Sequence, residues 1–157
     1  AFNRVLSQAV VPAAGVIAAS GGNHGLAVAY VARQLGYPAH IFVPQTCPPV
    51  KVERLRQYGA HVTLVGKTYA EAYEASQMRA EETGALVVHA YDQPEIIIGQ
   101  GTLGKEFAQQ APELDTVLVA VGGGGLIAGV ASWFAGDVRV VGVEPVSGRG
   151  AQGEYPC

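Results

Sequence analysis

Residues 119–144 read VAVGGGGLIAGVASWFAGDVRVVGVE. A β-branched run leads into four consecutive glycines, Gly122 to Gly125. An apolar run of helical spacing follows, then a second β-branched run. Strand, glycine turn, helix and strand in that order predict one βαβ unit. Glycine lets the backbone turn sharply and approach a ligand, so consecutive amide N–H groups can converge on an anion. The positive end of the following helix adds to that attraction. This stretch is expected to hold a phosphate.

Toward the N-terminus the same alternation repeats. Gly15 to Ala19 reads as a short buried strand ending in Ser20-Gly21-Gly22-Asn23-His24-Gly25, and Leu26 to Leu35 has helical spacing stopped by Gly36 and Pro38. Strands are expected at 40–43, 61–65, 86–88, 115–121 and 138–143. Helices are expected from Pro49 to Gly59, from Tyr69 to Thr83 with Gly84 just beyond, and from Ile96 to Gln110. The last of these carries Gly99, Gly101 and Gly104. Each costs about 1 kcal/mol against alanine inside a helix, so a close neighbour or ligand must require them. Short connections and strands apolar on both faces predict an α/β fold of parallel sheets with helices on both faces, three layers in all.

The composition sets limits. Of 157 residues, 49% are hydrophobic and 15% charged, which suits a core-rich domain. A net charge of −3 argues against nucleic acid or an anionic membrane as partner. No apolar run is long enough to span a bilayer. Cys47 and Cys157 show neither metal-ligand nor disulfide spacing, so a cytoplasmic location is expected. The chain starts at Ala1 inside a helical pattern, and Ser147 to Cys157 abandons the strand–helix rhythm. It reads as a fragment truncated at both ends.

Two strand–helix junctions hold unusual residues, and parallel sheets bind ligands at such junctions. The Ser20–Gly25 turn suits a carboxylate or phosphate, with Asn23 as a side-chain donor; it also suits a plain glycine turn in which Ser20 or Asn23 caps the helix. The glycine run has two readings as well. Gly123-x-Gly125-x-x-Ala128 matches a dinucleotide fingerprint, and Glu144 ends the next strand where a ribose-binding acid would stand. An NAD- or FAD-binding oxidoreductase domain is therefore a rival. It gives no reason for the polar turn at Ser20, and the spacing alone leaves both readings open.

Four motifs in order resemble one family, the pyridoxal-phosphate enzymes of the tryptophan-synthase-β type (fold type II), in particular serine/threonine dehydratases. Ser20-Gly21-Gly22-Asn23-His24-Gly25 is similar to the family's Ser-x-Gly-Asn-His loop. Val43-Pro44, Pro49-x-Lys51 and Gly59-Ala60 resemble its first helix region. Gly99-Gln100-Gly101-Thr102 resembles a Gly-Gln-Gly-Thr helix start, and Gly122 to Leu126 the phosphate loop. The resemblance covers Ala1 to about Pro145.

It implies pyridoxal 5′-phosphate as cofactor, with its phosphate on Gly122, Gly123, Gly124, Gly125 and Leu126 and its ring oxygen on Asn23. It implies a substrate carboxylate on the backbone of Ser20, Gly21, Gly22 and His24. The reaction implied removes water from L-threonine or L-serine and releases a 2-oxo acid and ammonia. Residues 15–94 would form a small mobile domain, with 1–14 and 95–157 part of a larger one, in an enzyme that is a homo-oligomer when intact. The family's Schiff-base lysine, in Phe-Lys-x-Arg-Gly-Ala, would lie just before Ala1, so no catalytic residue is assigned here and the chain is expected to be inactive alone. Lys51, Lys67 and Lys105 stand in no such context, and no later serine, threonine or cysteine matches the pyridine-nitrogen contact. Gly21 replaces a serine of racemase-type members, which favours elimination, as does Tyr91-Asp92-Gln93. Glu144 resembles a cation ligand of some members, with no second acid in Val146 to Gly150. A non-catalytic amino-acid-binding module is a further alternative.

Overall fold

The computed structural model describes residues 1–145. Its elements run α1 (Phe2–Leu6), β1 (Val16–Ala19), α2 (Asn23–Leu35), β2 (Ala39–Val43), α3 (Pro49–Gln57), β3 (His61–Leu64), α4 (Tyr69–Thr83), β4 (Leu86–Val87), α5 (Pro94–Gln110), β5 (Thr116–Ala120), α6 (Gly125–Phe134) and β6 (Arg139–Val143). They form two compact units, one of residues 1–90 and a second that begins at Tyr91.

In the first unit β1 pairs in parallel with both β2 and β4, and β3 joins β2, giving the order β3-β2-β1-β4. Connections to β2 and β3 run one way across the sheet, and the connection to β4 returns past β1. Right-handed crossovers then place α4 on the face opposite α2 and α3. The packing agrees: Ile17, Ala19 and Phe42 meet Tyr69, Tyr73 and Ala80 of α4. Their alternate neighbours Val16, Ala18, Ile41 and Val43 are also buried, as a strand covered on both sides requires. Here the expected three layers are present.

Local signals set the ends of α4. Thr68 accepts from the Glu71 N–H, and the Glu71 carboxylate accepts from the Thr68 N–H, a reciprocal cap. The Lys67 and Thr68 N–H groups also hold the Glu71 carboxyl below the usual carboxylate range. Gly84 closes the helix at φ +70°, a left-handed turn that favours glycine.

The second unit is thinner. Val117 and Val119 of β5 pack against Val130 and Phe134 of α6. On the other face of the two-stranded sheet Leu118 is 70% exposed and Val143 49%. Among the described residues α6, with Ala108 of α5, covers one face of β5 and β6. On β3, His61 and Leu64 are exposed at the edge of the first sheet.

Helices α5 and α6 explain the helical glycines. A Cβ on Gly101 would stand 3.2 Å from the Gly129 carbonyl oxygen, and one on Gly104 3.0 Å from Trp133 Cβ. A Cβ on Gly129 would collide with the Ile97 carbonyl and stand 2.6 Å from Gln100 Cβ. Backbone approaches backbone, so the cost of glycine is offset by contact that no other residue permits. The Gly99–Thr102 motif lies in the second turn of α5 and not at its start, since Pro94 already occupies the first turn.

Gly129→Ala should destabilise the chain by about 1–3 kcal/mol, the usual cost of overpacking, despite alanine's higher helix propensity. Urea unfolding of the variant beside Ala128→Gly, which lowers propensity without overpacking, separates the two effects.

Candidate functional site

The helices differ in how they begin. Thr68 caps α4, and Pro49 and Pro94 open α3 and α5. What sets α2 and α6 apart, after β1 and β5, is a glycine N-cap with neither proline nor acid in the first turn. A helix start leaves about four backbone N–H groups without intrahelical partners. Two N-termini are thus left able to receive an anion, one in each unit.

In the first unit the turn follows β1, the strand where the sheet reverses direction, and ligands gather at such switch points. Ser20 Oγ accepts from the Gly22 N–H at 3.2 Å, which holds the turn closed. Gly22 is the N-cap and Asn23 the first helical residue, with its side chain exposed. Neither Ser20 nor Asn23 caps the helix, so the plain capping alternative does not hold. Gly25 is buried, and a Cβ there would collide with the Ser20 carbonyl.

The His24 ring turns away from the turn and meets the Val88 carbonyl through Nε2 at 2.9 Å. A carbonyl only accepts, so Nε2 carries the proton in the neutral ring. Burial lowers the His24 pKa to about 4 against the opposing pull of the Val88 hydrogen bond. His89 nearby acts in the same direction as burial. At neutral pH His24 is an uncharged strut between α2 and the residue after β4.

Beside that turn lies a recess absent from the sequence-based expectation. Ala18, Ala19, Val88 and His89 line it, closed by Tyr69, Tyr73 and Gln77 of α4. Tyr73 meets the His89 ring edge-on at 5.5 Å, and Tyr69 stacks on Tyr73 at 6.0 Å. The i, i+4, i+8 spacing of Tyr69, Tyr73 and Gln77 was the available signal.

In the second unit Gly122 to Gly124 form the turn after β5, and Gly125 and Leu126 open α6. Gly124 has φ +88°, so the turn reverses through a left-handed residue. Tyr91 packs on this loop: a Cβ on Gly123 would collide with its ring, and one on Gly125 would stand 2.8 Å from its Cα. Tyr91 therefore requires glycine at both positions, whatever the loop binds. Glu144 is exposed just after β6. No group of three metal-ligating side chains occurs among the described residues. Val146 to Gly150 and Cys157 lie outside the described residues.

β5, α6 and β6 form a parallel βαβ unit with Glu144 at its end, which by itself satisfies the dinucleotide reading as well as the pyridoxal one. Comparison with known proteins decides between them. Residues 1–155 match the family model described as pyridoxal-phosphate dependent enzyme. The chain belongs to that family. It is 46% identical over 142 residues to the L-threonine ammonia-lyase of Geobacter sulfurreducens, covering 88% of this chain and 35% of that protein. With the L-threonine ammonia-lyase of Thermotoga maritima it shares 44% over 133 residues, 83% of this chain and 33% of the relative. The processed threonine deaminase isoform 2 of Solanum lycopersicum superposes with a TM-score of 0.84 at 38% identity, over 92% of this chain and 41% of that one. A pyridoxal 5′-phosphate-dependent aspartate racemase superposes at 0.86 and 31%, over 93% and 46%. The chain spans about a third of the length of these two curated relatives. The α/β fold with parallel sheets is the family's, as the motifs implied. Among the described residues no helix is long and apolar enough to cross a membrane.

The donor set fits the family's cofactor: a phosphate monoester needs several backbone N–H groups, and the glycine-capped start of α6 offers them with no acid in its first turn.

The lowered His24 pKa predicts a pH effect of definite sign. Between pH 6.5 and about 4 the unfolded chain takes up a proton that folded His24 refuses. Stability present above pH 6.5 should fall as pH drops through this window, by up to about 3 kcal/mol. Denaturant melts of the wild type and His24→Gln across pH 4–7 test this, and the variant should lose most of the slope.

Proposed function

We propose that this chain is the part of a threonine/serine dehydratase that holds the cofactor phosphate and the substrate carboxylate. The observation that supports this most is the pair of glycine-capped helix starts, α2 and α6, each after a parallel strand and with no acid in its first turn. The Gly122–Gly125 turn and Leu126 N–H hold the phosphate of pyridoxal 5′-phosphate. Asn23 donates to the ring oxygen, its exposed amide being free to do so. The backbone of Ser20, Gly21, Gly22 and His24 holds the amino-acid carboxylate, with Ser20 Oγ fixing the turn. Residues 15–94 act as the small mobile domain of the whole enzyme, and 1–14 and 95–157 belong to the large one.

Pyridoxal phosphate supplies an electron sink at the α-carbon of a bound amino acid. The α-proton and β-hydroxyl then leave as water, and hydrolysis of the resulting enamine releases a 2-oxo acid and ammonia. At Gly21 no side chain is available as a second proton-transfer base, which supports elimination over racemisation. Lys51 and Lys105 are on helices and Lys67 is in an exposed turn, and none stands in the family's lysine motif, so no residue of this chain is assigned as the Schiff-base lysine. L-Threonine is the first substrate to test and L-serine the second; the whole enzyme is cytoplasmic and a homo-oligomer.

Gly124→Ala tests the phosphate loop. Nothing stands within 4 Å of its Cβ position, so only the φ of +88° is opposed. Binding of pyridoxal 5′-phosphate, followed by its absorbance and by competition with inorganic phosphate, should weaken by about tenfold or more, since one charge-assisted hydrogen bond is worth about 1.5–3 kcal/mol. Equal binding by wild type and variant, or preferential binding of NAD, would count against this reading. A polypeptide extended upstream through the lysine motif should turn yellow and form 2-oxo acid from threonine. Ligand binding without product in that extended form would instead favour a non-catalytic module.

A further inference from the structure

At the amino ends of the strands, opposite the Ser20 turn, one row of residues crosses the whole first sheet. Val87, Ile17, His40 and His61 stand side by side on β4, β1, β2 and β3. They share the face that α4 packs on. The apolar members of the row are packed with α4, whereas His61 at the edge is exposed and His40 half-buried. The two imidazoles are 5.2 Å apart between ring centres and tilted by 40°.

We propose that His40 and His61 form a two-imidazole site for a divalent transition-metal ion of the zinc type, which ties the edge strand β3 to β2. The spacing suits this chemistry. With metal–nitrogen bonds of about 2.0–2.1 Å, each ring centre lies about 3.2 Å from the ion, and two rings at a tetrahedral angle stand about 5.2 Å apart. Parallel register fixes the two Cα atoms as partners, so the rings need only rotate about their own side-chain bonds to share an ion.

No group of three or more ligating side chains occurs among the described residues, so water fills the remaining positions and affinity is modest. Arg79 of α4 is the opposing feature. Its positive charge is felt at His40, and its own pairing with Glu82, 3.1 Å away, offsets it only in part. The site bears on folding more than on the reaction. A cross-strand ion that binds only the folded sheet stabilises it by mass action and secures a strand that has no neighbour on its outer side.

Titration of untagged protein with Zn²⁺, followed by calorimetry and by Tm, tests the assignment. One equivalent should bind and raise Tm. His61→Gln, at an exposed position, should lose affinity by more than about 100-fold, beyond the roughly 10–100-fold loss usual for an outer-shell partner, and its Tm should no longer respond. Arg79→Gln should bind more tightly. Undiminished zinc binding by His61→Gln, as expected if His24 or His89 were the true ligands, would overturn the proposal, as would weaker binding by Arg79→Gln. His40→Gln should match His61→Gln; where it fails to fold, the two exposed variants decide.

Discussion

The starts of α2 and α6 share a glycine N-cap and an acid-free first turn, each set directly after a parallel strand, and the proposed anion sites depend on that arrangement. A helix start without a partner costs stability unless water or an anion satisfies it. The chain caps α4 with a reciprocal Thr68–Glu71 pair, so capping was available to it. At α2 and α6 it uses glycines instead, and keeps acids out of the first turn. Both positions follow parallel strands, where the sheet holds the helix start in a set place. Rigidity from the sheet and open donors at the helix start are the two conditions on which the proposed anion sites rest.

The supporting features serve that arrangement. In the first unit β1 is buried on both faces and flanked by β2 and β4, so the turn it delivers has little freedom. His24 adds a second restraint by reaching the Val88 carbonyl, and burial keeps it neutral so that it brings no charge to the turn. In the second unit Tyr91 lies against Gly123 and Gly125, and Gly129 lets α5 and α6 meet backbone to backbone. Glycine is weak in a helix by propensity. Here the close packing it permits outweighs that loss.

Much of this was legible in the residues. The αL stop at Gly84, the Pro-opened helices and the βαβ pattern around Gly122–Gly125 are local, and local sterics decide them. The four ordered motifs identified the family before any coordinates, and the family match agrees. Less legible was the choice between a dinucleotide and pyridoxal phosphate at the glycine run. Both ligands present a phosphate to the same kind of loop, so the loop alone carries no information about what lies beyond that phosphate.

By itself the sequence determined the alternation of strands and helices, the α/β class, and the positions of the two glycine-rich turns, because hydrophobic period and glycine conformation act over a few residues. Only the tertiary structure decided which partner each of those residues has. It turned His24 to Val88 and set Tyr91 against Gly123 and Gly125. It gathered Tyr69, Tyr73 and Gln77 beside His89, and it brought His40 next to His61 at the edge of the sheet. These contacts join residues far apart in the chain, and their geometry follows from strand order and helix crossing, which no local pattern records.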